Sequence, residues 1–203
     1  HDALPISGPD HDDEQNNMWI VRINNDGMEL WRNQFGDPNL EDGAVSIIET
    51  DNGDFLAVGI SGRNIAAVRL DRLGNEIWFH TYERRQCRAV IELKSGEFLI
   101  CGRGRNCAYI FCIDGNGEVL WDTEYGETNG TRLNTMRETR GGVIAAGAHR
   151  QNSYFAWAIK IDPDNEGELL WSHTYAIDNW GSCESMVSSG DGDMVIATQV
   201  SDN

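Results

Sequence analysis

Short runs of apolar residues, separated by turns that contain glycine, fill the chain from residue 18 to residue 200. Within these runs apolar and polar side chains partly alternate, and β-branched and aromatic residues are common, which is typical of β-strands. Turns such as DNGD at 51–54 and KSGE at 94–97 place glycine where a tight hairpin needs a positive φ. No helical period competes with this pattern. The sequence therefore predicts an all-β protein built from antiparallel hairpins.

The hairpins belong to a unit that occurs four times. One half of the unit contains a glycine, a tryptophan four residues later, and an aromatic residue four residues after that. The other half contains a hairpin-turn glycine six residues before a second glycine, which is replaced by Thr198 in the last copy. The tryptophans recur about every 45 residues, a period typical of blade-forming repeats. They are Trp31, Trp78, Trp121 and Trp171, followed by Phe35, Tyr82, Tyr125 and Tyr175.

Each unit predicts four antiparallel strands, which we term A to D in chain order. In one copy they lie around Ala44–Thr50, Phe55–Ile60, Ile65–Leu70 and Glu76–Tyr82. A sheet with apolar residues on both faces must be covered on both faces, and radial stacking of similar sheets provides this cover. We therefore predict a β-propeller of four-stranded antiparallel blades with about four repeats; a solenoid is the alternative.

The phase of the repeat determines how the ring could close. Residues 18–203 hold the repeats, which begin near a strand C and end after a strand B, whereas residues 1–17 are mostly turn-forming and acidic. We expect residues 1–17 to be a poorly ordered leader or the remnant of a preceding strand. We expect the repeats to form an incomplete arc of a larger propeller, with the remainder in a longer chain. The alternative is a closed four-bladed ring, in which the first C and D strands complete the last sheet.

The repeat resembles those of bacterial secreted β-propellers, whose units read roughly LDxxGxxxWxxxYG followed by a DGG turn. It occurs as LDRLGNEIW at Leu70–Trp78 and as IDGNGEVLWDTEYG at Ile113–Gly126. It is more distantly similar to the tryptophan-docking repeat of quinoprotein-like propellers, in which the tryptophans join neighbouring blades. The resemblance implies a structural role for the four repeated tryptophans and an extracytoplasmic location (secreted, periplasmic or at the cell surface).

Composition narrows the classes of partner. The net charge of −17 argues against nucleic acid, because such binding gains most of its energy from neutralised phosphates. No run of about 18 apolar residues occurs, so no membrane span is predicted. The five cysteines include no C-x-x-C pair, and a zinc site is therefore not predicted.

Arginine is concentrated in the D–A and B–C loops, which share one end of every blade, whereas the A–B and C–D turns at the other end are largely acidic. The planar guanidinium pairs with carboxylate or sulfate through two hydrogen bonds. We predict that Arg84, Arg85, Arg103 and Arg105 bind an anionic glycan or an acidic peptide, with Trp180 as an aromatic anchor. The alternative is that these are solvated charges offset by neighbouring acids. Further arginines in or beside these loops are Arg63, Arg88, Arg132 and Arg150.

The C–D turn of the fourth copy is longer and more acidic than the others. Its sequence DPDNEGE matches the start of a D-x-D-x-D-G calcium loop, in which alternating carboxylates converge on one ion. Two positions depart from that loop, since glutamate stands at position 5 and histidine at position 12. The pattern indicates a candidate calcium site formed by Asp162, Asp164, Glu166 and Glu168; the alternative is a longer acidic chain reversal.

No catalytic motif such as G-x-S-x-G or H-E-x-x-H occurs in the sequence. We therefore expect a non-catalytic extracytoplasmic recognition or scaffold module, with calcium as its one candidate cofactor. Two alternatives remain, because a fold does not determine an activity. One is the propeller domain of an enzyme that acts on acidic polysaccharide, and the other is a purely structural blade array in a larger surface protein.

Overall fold

The computed structural model describes residues 17–37, 39–83, 86–126, 128–175 and 181–200. These residues form sixteen β-strands and a 3-10 turn at Pro163–Asn165. None of the described residues lies in a helix with the length and apolar character needed to span a bilayer. The strands are β1 (Met18–Ile23), β2 (Glu29–Phe35), β3 (Asp42–Glu49), β4 (Phe55–Ser61), β5 (Asn64–Leu70), β6 (Glu76–Tyr82), β7 (Gln86–Glu92), β8 (Phe98–Arg103), β9 (Ala108–Ile113), β10 (Val119–Tyr125), β11 (Arg132–Thr139), β12 (Gly142–Arg150), β13 (Tyr154–Asp162), β14 (Glu168–Tyr175), β15 (Gly181–Ser188) and β16 (Met194–Val200).

Strands that are neighbours in sequence pair antiparallel and form five sheets. Three sheets have four strands each, β3–β6, β7–β10 and β11–β14, and two have two strands, β1–β2 and β15–β16. The predicted four-stranded antiparallel blade is confirmed, and β6 has the bounds expected for strand D. Successive A strands, β3, β7, β11 and β15, lie against one another. The A strands are therefore the inner strands of the blades and the D strands the outer ones.

The two half blades remain separate. The β1–β2 hairpin supplies strands C and D of its repeat, and the β15–β16 hairpin supplies strands A and B. A closed four-bladed ring would require β1 to pair with β16, but among the described strands these hairpins form two independent sheets. The described residues thus form an arc of three blades flanked by two half blades.

The core lies between the blades rather than within one layer. Leu56 and Val58 of β4 pack with Val90 of β7 and with Phe98 and Ile100 of β8, and all five side chains are buried. Burying such a side chain stabilises the fold by roughly 1.5–3 kcal/mol. Each blade therefore depends on its neighbours to cover its two faces.

Every A strand carries a β-bulge, a single extra residue that its partner strand does not match. The ladder register shifts between Ala44 and Ser46, and again at the equivalent places in β7, β11 and β15. A bulge leaves its extra residue unpaired and redirects its side chain. The four inner strands therefore carry side chains of different chemistry at the same repeat position: Val45, Arg88, Asn134 and Glu184.

Candidate ligand site at the loop end of the blades

The predicted arginine-rich loops do lie at one end of the blades. Strand β8 ends at Arg103 and β12 ends at Arg150, while β11 begins at Arg132 at the same end. Arg105 is exposed in the B–C loop between β8 and β9. The loop end of the second and third complete blades is therefore the part of the molecule where arginines accumulate.

Three of the predicted ligand residues, Arg84, Arg85 and Trp180, lie outside the described residues. Their part in the site stays a prediction. The structure describes contacts of Arg103 and of three further arginines in or beside these loops, Arg88, Arg132 and Arg150. We call these four residues the arginine cluster.

Arg132 lies at the centre of this arginine cluster. Its side chain is only 17% exposed, its Nη2 donates to Ser182 Oγ at 3.0 Å, and it lies 3.9 Å from the Glu184 carboxylate. Burial lowers the pKa of Arg132, Glu184 opposes this effect, and the positive charges of Arg88 and Arg103 add to the lowering. An arginine guanidinium stays protonated in a protein even when burial lowers its pKa. The positive charges of Arg88 and Arg103 therefore repel that of Arg132. A bound anion would relieve that repulsion.

An aromatic ring and an asparagine hold the cluster together. The guanidinium carbons of Arg132 and Arg150 lie 5.4 and 5.6 Å from the centre of the Tyr154 ring, within the range of cation–π interactions. Arg150 Nη1 donates to the Asn129 carbonyl oxygen at 3.4 Å, and Arg103 Nη2 donates to Asn129 Oδ1 at 3.3 Å. Asn129 thus links arginines of two adjacent blades, which lowers the entropy that a ligand must remove on binding.

The bulge residues extend the cluster along the inner strands. Asn134 Nδ2 donates to Cys183 O at 2.8 Å, to Ser182 Oγ at 3.2 Å and to Glu184 Oε2 at 3.3 Å. Arg88 occupies the equivalent bulge of β7 and is exposed. Sequence reasoning did not select Asn129, Asn134 or Tyr154.

The acidic turn at 162–168 uses its side chains locally. The Asp162 carboxylate accepts a hydrogen bond from the Asp164 backbone N at 3.1 Å and caps the 3-10 turn. Asn165 Nδ2 donates to Glu168 Oε2 at 2.6 Å, and Glu166 adopts a left-handed conformation with φ of 48°. Among the described residues, no three His, Cys, Asp or Glu side chains form a group that could hold a metal ion. Calcium binding by this turn stays a prediction.

The repeated tryptophans lie on D strands, and three of the four contact the C–D turn of the next blade. Trp78 Nε1 donates to the Gly115 carbonyl oxygen at 3.0 Å, and His80 Nε2 lies 3.1 Å from the Asn116 carbonyl oxygen. Tyr82 Oη donates to Gly117 O at 2.8 Å. We call this arrangement, a D-strand tryptophan against the turn glycine of the next blade, a tryptophan dock. The described docks are Trp31 with Gly74, Trp78 with Gly117, and Trp121 with Gly167.

A cavity of about 760 Å³ opens elsewhere, between the outer strands β10 and β14. Glu124, His149, Trp157 and Glu166 contribute to its wall. Trp157 Nε1 donates to Ser172 Oγ at 2.8 Å, and partial burial lowers the pKa of His149. The Trp157 indole N–H is therefore already hydrogen-bonded within its own blade.

The architecture is similar to two solved structures. One, described as the Dos1 propeller, gives a TM-score of 0.58 at 14% identity, over 81% of this chain and 40% of that chain. The other, the WD40 β-propeller domain of Doa1, gives 0.55 at 16% identity, over 75% of this chain and 47% of that chain. The chain has a β-propeller fold. It spans less than half the length of either structure.

The predicted architecture is thereby confirmed, whereas the likeness to secreted bacterial repeats stays a resemblance. No protein-family model matches the sequence, and no curated protein is significantly similar to it. At these levels of identity, the propeller likeness describes the fold and leaves the activity to be argued from the site.

Proposed function

We propose that the protein is a non-catalytic recognition module that binds an acidic peptide segment of a partner protein at the arginine cluster. The observation that carries this proposal is the largely buried Arg132 guanidinium. Its positive charge is repelled by Arg88 and Arg103 and attracted by Glu184. Burial strengthens a charged hydrogen bond to the ligand, because water screens it less. An extracytoplasmic location remains part of the proposal.

The charge distribution favours a short acidic peptide over a polyanionic glycan. The molecule carries a net charge of −17, so a long polymer of negative charges is repelled along most of its length. A segment with two or three carboxylates can reach the cluster, while charges beyond about 10 Å are screened at physiological salt. Tyr154 and Asn134 provide an aromatic face and an amide beside the guanidinium groups, which suits a peptide.

Fluorescence anisotropy with a labelled glutamate-rich peptide tests the proposal. Arg132→Gln is expected to weaken binding by about 10- to 100-fold, since one charged hydrogen bond contributes roughly 1.5–3 kcal/mol. The matched control is Arg140→Gln, which removes the same charge from the exposed A–B turn at the opposite end of the same blade. Equal affinity of the two variants would overturn the assignment to Arg132.

A sulfated oligosaccharide serves as the competing ligand. Binding of this oligosaccharide, with no binding of the peptide, would replace the acidic peptide by an anionic glycan as the ligand of the cluster. Binding of neither probe to the wild-type chain would reject the proposed function. Peptide affinity that falls as salt rises is expected in the case we favour, because the contacts are ionic.

A further inference from the structure

The third complete blade, β11–β14, departs from the repeat at both of its ends. Its B–C hairpin has nine residues between the paired Gly147 and Trp157, whereas the first two complete blades have six at this place. Its C–D turn has seven residues between the paired Ile161 and Leu169, whereas the other two have five. In repeat proteins, insertions confined to single repeats often form the binding surface.

Both insertions contribute to the wall of one cavity, the groove of about 760 Å³ between β10 and β14, which we call the outer groove. The longer hairpin supplies His149 and Gln151, and the longer turn supplies Asn165 and Glu166. The volume lies within the range of about 300–1,000 Å³ that is usual for ligand sites. The two departures from the repeat, at opposite ends of the blade, therefore meet at this groove.

Hydrogen bonds within the protein fix two large side chains of the wall. Trp157 Nε1 donates to Ser172 Oγ at 2.8 Å. Tyr125 Oη donates to Gly167 O at 2.6 Å, across the boundary between the two blades. Trp157 and Tyr125 are both buried, so this part of the wall is in place before a ligand arrives. Because both donors are already used, a ligand must be recognised by other groups of the groove.

His149 presents a hydrogen-bond acceptor to the outer groove. The Thr128 hydroxyl donates to Arg150 O, so at the 2.8 Å contact between Thr128 and Thr131 the Thr131 hydroxyl is the donor. The 3.3 Å contact between Thr131 Oγ1 and His149 Nδ1 then requires Nδ1 to donate. Partial burial lowers the pKa of His149 from its ordinary value of 6.5, so the ring is neutral at pH 7. Its Nε2 therefore carries a lone pair.

The charged residues of the outer groove are acidic. Among the described residues of its wall, Glu124, Glu166 and Glu168 are carboxylates, and no lysine or arginine occurs. Glu124 belongs to β10, whereas the other two belong to the longer turn of the next blade, so the acids stand on both sides of the groove. Together with His149 Nε2 they favour a ligand that donates hydrogen bonds and carries positive charge.

We propose that the outer groove is a second binding site, which takes an ammonium or guanidinium group carried on an aliphatic chain. The carboxylates of Glu124 and Glu166 bind the cationic nitrogen, and His149 Nε2 accepts a hydrogen bond from the same ligand. Leu169 and the buried aromatic wall provide the apolar contact for the chain. The ligand is the lysine or arginine side chain of a partner peptide, or a free polyamine. This site is separate from the arginine cluster, whose ligand has the opposite charge.

Fluorescence anisotropy with a labelled trilysine peptide at physiological salt tests the proposal. Thr174 lies in the wall of the groove, and Thr174→Lys is expected to weaken binding by about tenfold, because its own ammonium group occupies the site. The matched control is Thr81→Lys, which makes the same change at the equivalent, exposed position of β6. Equal affinity of the two variants would overturn the assignment to the outer groove.

Two further measurements complete this test. Both variants are expected to bind the glutamate-rich peptide as the wild-type chain does, which shows that they fold and that the two sites are independent. Calorimetry with spermidine distinguishes the two sources of the ligand. Binding of spermidine that Thr174→Lys abolishes, with no binding of trilysine, identifies a free polyamine, and the reverse identifies a peptide side chain. Binding of neither probe to the wild-type chain would overturn the proposal.

Nitrogen NMR of the His149 ring tests the acceptor directly, and comparison with His149→Phe identifies its signals. At pH 7 we expect Nδ1 to be protonated and Nε2 to be unprotonated in the absence of ligand. The Nε2 signal is expected to shift as trilysine or spermidine is added. A protonated Nε2, or an Nε2 signal that stays constant while the probe binds, would overturn the proposal.

Discussion

The indole of Trp78 donates a hydrogen bond to the carbonyl oxygen of Gly115, at 3.0 Å, across the boundary between two blades. Tyr82 and His80 reach the same turn from the same strand, so three side chains at alternate positions contact one chain reversal. The contact requires the turn to approach the outer strand closely. The glycine at the end of the turn makes that approach sterically feasible.

We predict that Gly117→Ala destabilises the protein by about 2–3 kcal/mol, because two penalties combine. The φ of +85° disfavours any side chain, which costs about 1 kcal/mol. A Cβ at this position would also lie 2.5 Å from His80 Cδ2 and 3.3 Å from Trp78 Cη2, which adds the cost of overpacking. The free energy of unfolding in urea measures the total.

The control for this prediction is Gly96→Ala. Gly96 lies in an A–B turn with a φ of +97° and no atom within 4 Å of a Cβ. We expect this variant to lose only the conformational cost, about 1 kcal/mol. Equal losses in the two variants would show that the tryptophan dock contributes nothing measurable to stability.

Tyr125 is predicted to make the protein less stable in alkali. Burial raises the pKa of its phenol well above the ordinary value of 10.0. The unfolded chain therefore ionises first, so the stabilisation is complete below pH 10 and is lost progressively above it. The loss from this residue reaches about 1.4 kcal/mol by pH 11.

Tyr125→Phe separates this effect from the hydrogen bond to Gly167. At pH 7 the variant is expected to be less stable by about 1 kcal/mol, because Gly167 O loses its donor. Between pH 10 and pH 11 the variant is expected to lose less stability than the wild-type chain. Urea unfolding at both pH values measures the change, and parallel pH profiles for the two proteins would contradict this account.

Tyr154→Leu is predicted to weaken peptide binding by about tenfold without changing the net charge. The ring contacts the guanidinium groups of Arg132 and Arg150, and its loss allows both side chains to move. Anisotropy measurements at two salt concentrations identify the cause. A loss of affinity with an unchanged salt dependence indicates lost positioning, whereas unaltered affinity would show that the ring does not organise the cluster.

The repeat could be read from the sequence because its signals are local. Turn glycines and the alternation of side chains define each hairpin, and the predicted strand Glu76–Tyr82 is the observed one. The inter-blade contact follows from the same repetition, because a tryptophan that recurs at one position of each blade meets an equivalent turn wherever a complete blade follows it. Both inferences use only the spacing of residues along the chain.

The site could not be read in the same way, because it depends on the register between strands. If the A strands are aligned by counting back nine residues from the turn glycine, Arg132 falls at the position of Ala44 and Cys87. The observed pairing of the strands instead places Leu133 at that position. The third A–B turn is tighter than the first, since its strands end on the pair Thr139 and Gly142. This difference moves Arg132 towards the loop end.

The tryptophan dock is directional, since each repeat contributes an indole on one side and a glycine turn on the other. Duplicating or deleting a whole repeat therefore preserves every such contact, and no new interface has to evolve. The number of blades is then determined by the angle between successive sheets and not by the chemistry of the contact. Small side-chain changes that widen or narrow the wedge between two blades are enough to produce a relative with a different ring size.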